Sequence, residues 1–291
     1  MFSYENVEEI TMIIKAPAKI NLFLEVLNKR KDGYHNIETL FLKIGLFDKL
    51  NFKLIKKGIK ISCMHPDVPE DATNLVYKAA KLLQQKTGSD KGAHIIIQKK
   101  IPVFAGLGGG SSDAAAALLG LNKLWKLGLE QKELLGLARK IGADVPVFVT
   151  NYTAAIGRAR GDKLTPLDLE NKFWILLVKP DISVSTKEVY GRLSSSLTRT
   201  KNDVKLLVHA LRSKRMELIE KTLFNRLESA AFKQYKQLNK IKQMISAHGV
   251  RAVLMSGSGS VIFGLMNSRK EAIKLKQEFQ GAYDVMVVRS L

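Results

Sequence analysis

A single cysteine, Cys63, stands in 291 residues, so neither an intrachain disulfide nor a cysteine-based metal cluster can form. That excludes a small stapled scaffold and suits a reducing cytoplasm, with Cys63 itself expected as a small core residue. Acidic side chains are scarce: 27 Asp and Glu stand against 47 Lys and Arg, a formal charge of +20. The excess is spread over both halves of the chain. This argues against a basic disordered arm and favours acidic partners, whether nucleic acid, an anionic surface or a small phosphorylated ligand. Long apolar runs are missing too, since no uncharged stretch approaches the roughly 18 residues of a membrane span. Glu5, Glu8 and Glu9 lie where a secretory signal would carry positive charge, so a soluble cytoplasmic protein is expected. Core material is plentiful at 46% hydrophobic residues, which excludes a disordered chain and allows two ordinary domains.

The first suggestive segment follows the apolar run ITMII. In APAKINLFLEVL, residues 16–27, Lys19, Asn21, Phe23 and Glu25 alternate with Ile20, Leu22, Leu24 and Val26. This period of two predicts a strand with Lys19 and Asn21 on one face. Asp32-Gly33 then marks a hairpin turn before the apolar residues 37–44, which sets Tyr34 and His35 beside that turn. A helix is predicted over 73–85 and a strand over 94–101. The segment AGLGGGSSDAAAALLGLNKLW reads as a glycine loop entering a helix at Ser111-Ser112-Asp113 that continues to about Trp125. Residues 130–140 read as a further helix, which GADVPVFV (142–149) breaks with Pro146 before an extended apolar piece.

The turn-rich residues 157–168 mark a domain boundary, drawn between 162 and 163. Beyond it come a strand over 173–178, a polar stretch SSSLTRTKND and helical patterns over 204–247. A strand-turn-strand in AVLMSGSGSVIFGL, a helix over 268–280 and a strand over 285–288 follow. Strands and helices occur in both parts without a strict βαβ rhythm, so the expected class is α+β rather than doubly wound α/β.

Gly106, Gly108, Gly109 and Gly110, followed by Ser111 and Ser112 at a helix start, fit a phosphate cradle. Glycines let backbone N–H groups surround an anion, and the helix N-terminus adds positive potential. The loop is neither of the two common nucleotide motifs: Ser111 stands where a Walker loop has lysine and where a dinucleotide fingerprint has its third glycine. A lysine for ATP would have to come from elsewhere, and Lys19 is the candidate. Phosphoryl transfer also needs a carboxylate to take or orient the acceptor proton. Asp144, isolated in an apolar segment, is the candidate, although such an acid also caps helices or forms turns. The second small-residue loop, Ser256-Gly257-Ser258-Gly259-Ser260, is a hairpin turn or a closure over a substrate. His94, His209 and His248 lack partners at metal-ligand spacing, and no metal ligand set is assigned.

Taken together, APAKINLFLEVLNKRKDGYH (16–35), PVFAGLGGGSSDAAAAL (102–118), GADVPVFV (142–149) and MSGSGSVIF (255–263) resemble the GHMP small-molecule kinases. The resemblance implies a two-domain α+β fold, residues 1–162 binding ATP and carrying the catalytic groups and 163–291 on the substrate side, with the active site in the interdomain cleft. It implies that ATP phosphates are held by Pro102, Val103, Phe104, Ala105, Gly106, Leu107, Gly108, Gly109, Gly110, Ser111 and Ser112, with Mg²⁺ accompanying ATP and Ser112 a candidate ligand. Lys19 and Asp144 are similar to the family's catalytic pair. KINLFLEV, DGYH and GADVP further resemble the members that phosphorylate a hydroxyl of a methylerythritol bearing a cytidine diphosphate, in non-mevalonate isoprenoid precursor synthesis. For that substrate Tyr34 would stack on the cytosine, His35 would read its edge, Tyr190 would be the second stacking ring and Asn21 would contact the erythritol end or Asp144. Homoserine or mevalonate phosphorylation is the alternative activity, and a basic nucleic-acid-binding module the alternative class. A monomer or weak homodimer, without nucleic-acid or membrane partner, is expected. Three departures from the family pattern stand out: Phe104 where a small residue is usual, GRARG from Gly157, and SGSGS in the last loop.

Overall fold

The computed structural model describes residues 11–193 and 203–291; Glu5, Glu8 and Glu9, and all of SSSLTRTKND but Asp203, lie outside the described residues. The chain divides into two compact units. Unit 1 takes the chain through Ala16, Phe47–Ile101 and Gly109–Thr150; unit 2 takes Pro17–Leu46, Pro102–Gly108 and Asn151–Leu291. Strands β1 (Thr11–Lys29) and β2 (His35–Ile55) each pass through both. The units are therefore not consecutive stretches. The expected cut between 162 and 163 falls instead inside a hairpin of unit 2, where β5 (Ala154–Arg158) pairs with β6 (Lys163–Leu167).

In unit 1 the second half of β2 pairs antiparallel with β4 (Gly92–Gln98), and β3 (Ile59–Cys63) pairs parallel with β4. Among the described residues four helices belong to this unit: α1 (Leu75–Thr87), α2 (Gly109–Leu124), α3 (Gln131–Ile141) and α4 (Val145–Val149). Asn74 caps α1 by accepting from the Val76 N–H, as the Thr73-Asn74 signal foretold. The alanines 114–117 keep α2 slim, and a Cβ at Gly120 would sit 2.7 Å from the Phe52 ring, so this glycine lets the helix lie directly on β2. Two expectations change here. Helix α2 starts at Gly109, two residues before Ser111, so two of the loop glycines form its first turn. Residues 145–149 are a short buried helix rather than an extended piece, because a proline in the first turn lacks only an N–H that has no helical partner there.

Unit 2 joins β1 from Pro17 and β2 to Leu46 with β5 and β6, while β8 (Phe224–Asn225) runs parallel to β1. A second sheet in the order β11-β7-β10-β9 is antiparallel throughout, formed by Asp284–Arg289, Trp174–Lys179, Ile262–Met266 and Ala252–Met255. Helices α5 (Thr186–Gly191), α6 (Val204–Ser213), α7 (Met216–Thr222), α8 (Leu227–Gln234), α9 (Lys236–Ala247) and α10 (Arg269–Phe279) complete the unit. Its core brings Leu24, Leu176, Val178, Leu238, Ile245, Met255, Ile262 and Phe279 together. Burying each such side chain contributes about 1.5–3 kcal/mol. Strand β1 is buried on both faces from Ala18 to Val26, so its polar positions need partners inside the protein. Glu25 finds one in Arg226, which donates to both its oxygens at 2.7 and 2.8 Å. One mixed sheet, one antiparallel sheet and helices without a βαβ rhythm make the fold α+β, as expected.

Candidate functional site

Lys19 sits in the doubly buried part of β1 and is 3% exposed, so it is no solvated strand lysine. Its Nζ donates to Asn21 Oδ1 at 2.7 Å and to the Gly106 carbonyl at 3.2 Å, and lies 5.6 Å from the centre of the Phe41 ring. Asn21 in turn donates from Nδ2 to Thr39 Oγ1 at 2.8 Å, and Thr39 donates to the Phe23 carbonyl. Period-two alternation put Lys19 and Asn21 on one face, and the structure shows what that does: Asn21 uses both ends of its amide to hold the ammonium in place. Thr39, on β2, completes the relay and carried no signal in the sequence.

The glycine loop meets Lys19 within unit 2. The Leu107 carbonyl accepts from the Lys19 N–H at 3.0 Å, and the Ala105 carbonyl accepts from the Val261 N–H at 3.2 Å. Gly106 and Gly108 have φ of +76° and +72°, values that favour glycine. A Cβ at Gly106 would come within 2.1 Å of the Ser256 carbonyl oxygen, so this position admits only glycine. Ser256 donates from Oγ to the Gly106 carbonyl at 2.9 Å, and an added Cβ at Gly257 would stand 3.6 Å from Lys19 Nζ. The loop 256–260 is thus more than a hairpin turn: it packs on the glycine loop beside the lysine. Phe104 adopts φ +54° and is 60% exposed.

What fixes the second loop came from a residue that sequence reading passed over. Asn225, in the two-residue strand β8, donates from Nδ2 to the Met255 and Gly257 carbonyls at 2.8 and 2.7 Å, while its Oδ1 accepts from the Leu227 N–H. Thr186 Oγ1, in α5, lies 2.8 Å from Ser258 Oγ. Tyr190 is on the same helix, and its ring contacts His35 with centroids 5.2 Å apart and planes 30° from parallel. Burial first, then the charge of Lys29, pushes the His35 imidazole below its ordinary value, which favours the neutral ring. Tyr34 is 54% exposed, and the Arg160 guanidinium lies over its ring at 5.3 Å. Asp162 holds Arg160 at 2.9 Å, so the GRARG departure places a cation on one of the candidate stacking rings.

In unit 1, Asp144 occupies the N-cap position of α4 but makes no capping hydrogen bond with its side chain. At the start of α2, Ser112 Oγ is buried without a hydrogen-bond partner among the described residues. No group of three or more His, Cys, Asp or Glu could hold a metal ion among the described residues. His94 Nε2 lies 2.9 Å from Ser62 Oγ, and His209 and His248 are exposed. No described helix is long and apolar enough to cross a membrane.

Two family models match the chain: the GHMP kinases N terminal domain over residues 74–152 and the GHMP kinases C terminal over 207–285. Proteins named 4-diphosphocytidyl-2-C-methyl-D-erythritol kinase from Brevibacillus brevis and Bacillus pumilus are 41% and 44% identical, over 96% and 95% of this chain and 96% of each of theirs. A crystal structure of 4-(cytidine 5'-diphospho)-2C-methyl-D-erythritol kinase superposes with a TM-score of 0.83 at 34% identity, covering 96% of this chain and 99% of that one. A homoserine kinase from Cytophaga hutchinsonii has the same fold, with a TM-score of 0.79 at 20% identity over 100% of this chain and 97% of its own. Identity of this level, sustained across chains of matching length, means that the protein belongs to the GHMP kinase family of small-molecule kinases.

Proposed function

We propose that the protein transfers the terminal phosphoryl group of ATP to the 2-hydroxyl of 4-diphosphocytidyl-2-C-methyl-D-erythritol, giving the 2-phosphate and ADP in non-mevalonate isoprenoid precursor synthesis. The names of its nearly full-length relatives support the substrate. The observation that carries the chemistry is the Lys19 ammonium, held by the Asn21 amide against the carbonyl of a glycine that tolerates no side chain. The residues fit a phosphate ligand, because the positive φ of Gly106 and Gly108 and the two glycines in the first turn of α2 leave N–H groups open to an anion, with the orphaned Ser112 hydroxyl beside them.

ATP supplies the activated phosphoryl group, with Mg²⁺ as its counter-ion. Residues 102–112 hold the phosphates, and Ser112 Oγ is the candidate protein ligand for the ion. Asp144 takes or orients the proton of the acceptor hydroxyl, and Lys19 offsets charge on the transferred group. Tyr34 and Tyr190 offer flat faces to the cytosine, and a neutral His35 presents one donor and one acceptor to its edge. This reading suits a cytoplasmic setting.

Replacing the base tests the role assignment. Asp144→Asn keeps the shape and removes the proton acceptor, so kcat should fall by about 10²–10⁴-fold with melting temperature unchanged. Turnover near that of the wild type would contradict the assignment.

A further inference from the structure

Unit 1 buries three charges that the phosphoryl-transfer scheme does not use. Asp48, on β2, is fully buried; its Oδ1 accepts from the Lys100 and Ile101 N–H groups at 2.5 and 2.8 Å, and its Oδ2 accepts from Lys99 Nζ at 2.5 Å. The same Nζ donates to Asp113 Oδ2 at 2.8 Å, with 5% of the lysine side chain and 3% of the aspartate side chain exposed. Asp113 is the fifth residue of α2. A Cβ at Gly109, the first residue of that helix, would lie 3.2 Å from Lys99 Nζ and 3.1 Å from Ile101 Cγ2.

One ammonium therefore joins the two carboxylates that flank the segment 102–108 in sequence: Asp48, which holds the Lys100 and Ile101 N–H groups of the backbone that leads in, and Asp113, in the helix that leads out. We propose that Asp48, Lys99 and Asp113 are positioning residues, a clamp that sets the spacing between the entry of the glycine loop and the first turn of α2 and thereby the affinity for nucleotide phosphates. This rests on the kinase reading above.

The energetics favour positioning over bulk stability. A buried ion pair gains little over a well-packed apolar pair, and here two carboxylates share one cation. Asp113 Oδ1 has no hydrogen-bond partner among the described residues. For Lys99 burial acts downward, but the two carboxylates outweigh it and its value is raised, so the lysine stays charged. What the arrangement secures is geometry. N–H groups converging on an anion act only from fixed positions, and a shift of about 1 Å is enough to cost a site much of its effect.

The test is equilibrium titration with a fluorescent ADP analogue, with melting temperature measured alongside. Lys99→Met should weaken binding by about tenfold or more and lower the melting temperature, since it leaves two buried carboxylates facing each other. Lys99→Met/Asp113→Asn removes that repulsion and should recover much of the melting temperature without recovering affinity. Wild-type affinity in either folded variant overturns the proposal. The wild type gives a second reading by hydrogen exchange: Lys100 and Ile101 amides should be protected before ADP is added, and exchange there that slows only on ADP binding contradicts a preformed clamp. A wild type that binds no ADP overturns both readings, whereas one that binds ADP but phosphorylates no offered alcohol overturns the kinase reading alone.

Discussion

Gly106 shows how narrow the tolerance at this site is. Its left-handed backbone and the 2.1 Å approach of a hypothetical Cβ to the Ser256 carbonyl act together, so Gly106→Ala must displace either the glycine loop or the loop at 256–260. Nucleotide affinity should fall by about tenfold or more, as expected when preorganised N–H donors move, and titration with an ADP analogue checks it. Lys43 is a different residue-scale case. Buried in β2, its ammonium is pushed from an ordinary 10.5 to about 8 by burial. The unfolded chain therefore binds a proton between pH 8 and 10.5 that the folded protein does not, and stability contributed through this group rises with pH across that window. Lys43→Met should raise stability at pH 7 by at most about 3 kcal/mol, a gain that shrinks as pH climbs toward 10.5. Thermal melts of both proteins at pH 7 and pH 10 measure it, and a gain independent of pH would contradict the assigned cause.

At the scale of elements, the site is assembled from loops that short pieces of structure hold in place. Asn225 is the clearest example, because one side chain satisfies two carbonyls of the loop at 255–257 and the first N–H of α8. Asn225→Ala should leave these groups unsatisfied at about 1–3 kcal/mol each and lower the melting temperature by several degrees. Calorimetry checks this, and an unchanged transition would show that water or a neighbour replaces the amide. Elements with strong local signals were readable in the sequence: the alternation of β1, the Asn74 cap, the alanine-rich α2 and the glycine loop. Residues 145–149 were misread because a proline both ends helices and begins them, and only the backbone after Asp144 distinguishes the two. Strand β8 was invisible, since a two-residue strand pairing with β1 two hundred residues away leaves no local pattern. The Lys99 contacts were hidden for the same reason: Asp48 lies 51 positions from Lys99.

On the scale of the whole molecule, the chain weaves between its two units, so a linear cut based on turn-rich composition could not find the division. Motif order survived this weaving, because Lys19, the glycine loop and the 256–260 loop meet inside unit 2 whatever their separation in sequence. The acid deficit of the sequence also has a partial explanation at this scale. ATP and the proposed cytidine diphosphate substrate are both polyanions, and a protein of charge +20 would raise their local concentration. Lys19 is one of the few cations with a proposed role; Lys99 and Arg226 serve to compensate buried carboxylates. The most direct test of the account is phosphorus NMR of the wild-type protein incubated with ATP, Mg²⁺ and 4-diphosphocytidyl-2-C-methyl-D-erythritol, beside parallel reactions with homoserine and mevalonate. The account predicts a new phosphomonoester on the 2-hydroxyl with the diphosphate intact, formed with ADP in the first reaction only; a monoester formed only on homoserine or mevalonate, or none at all, would contradict it.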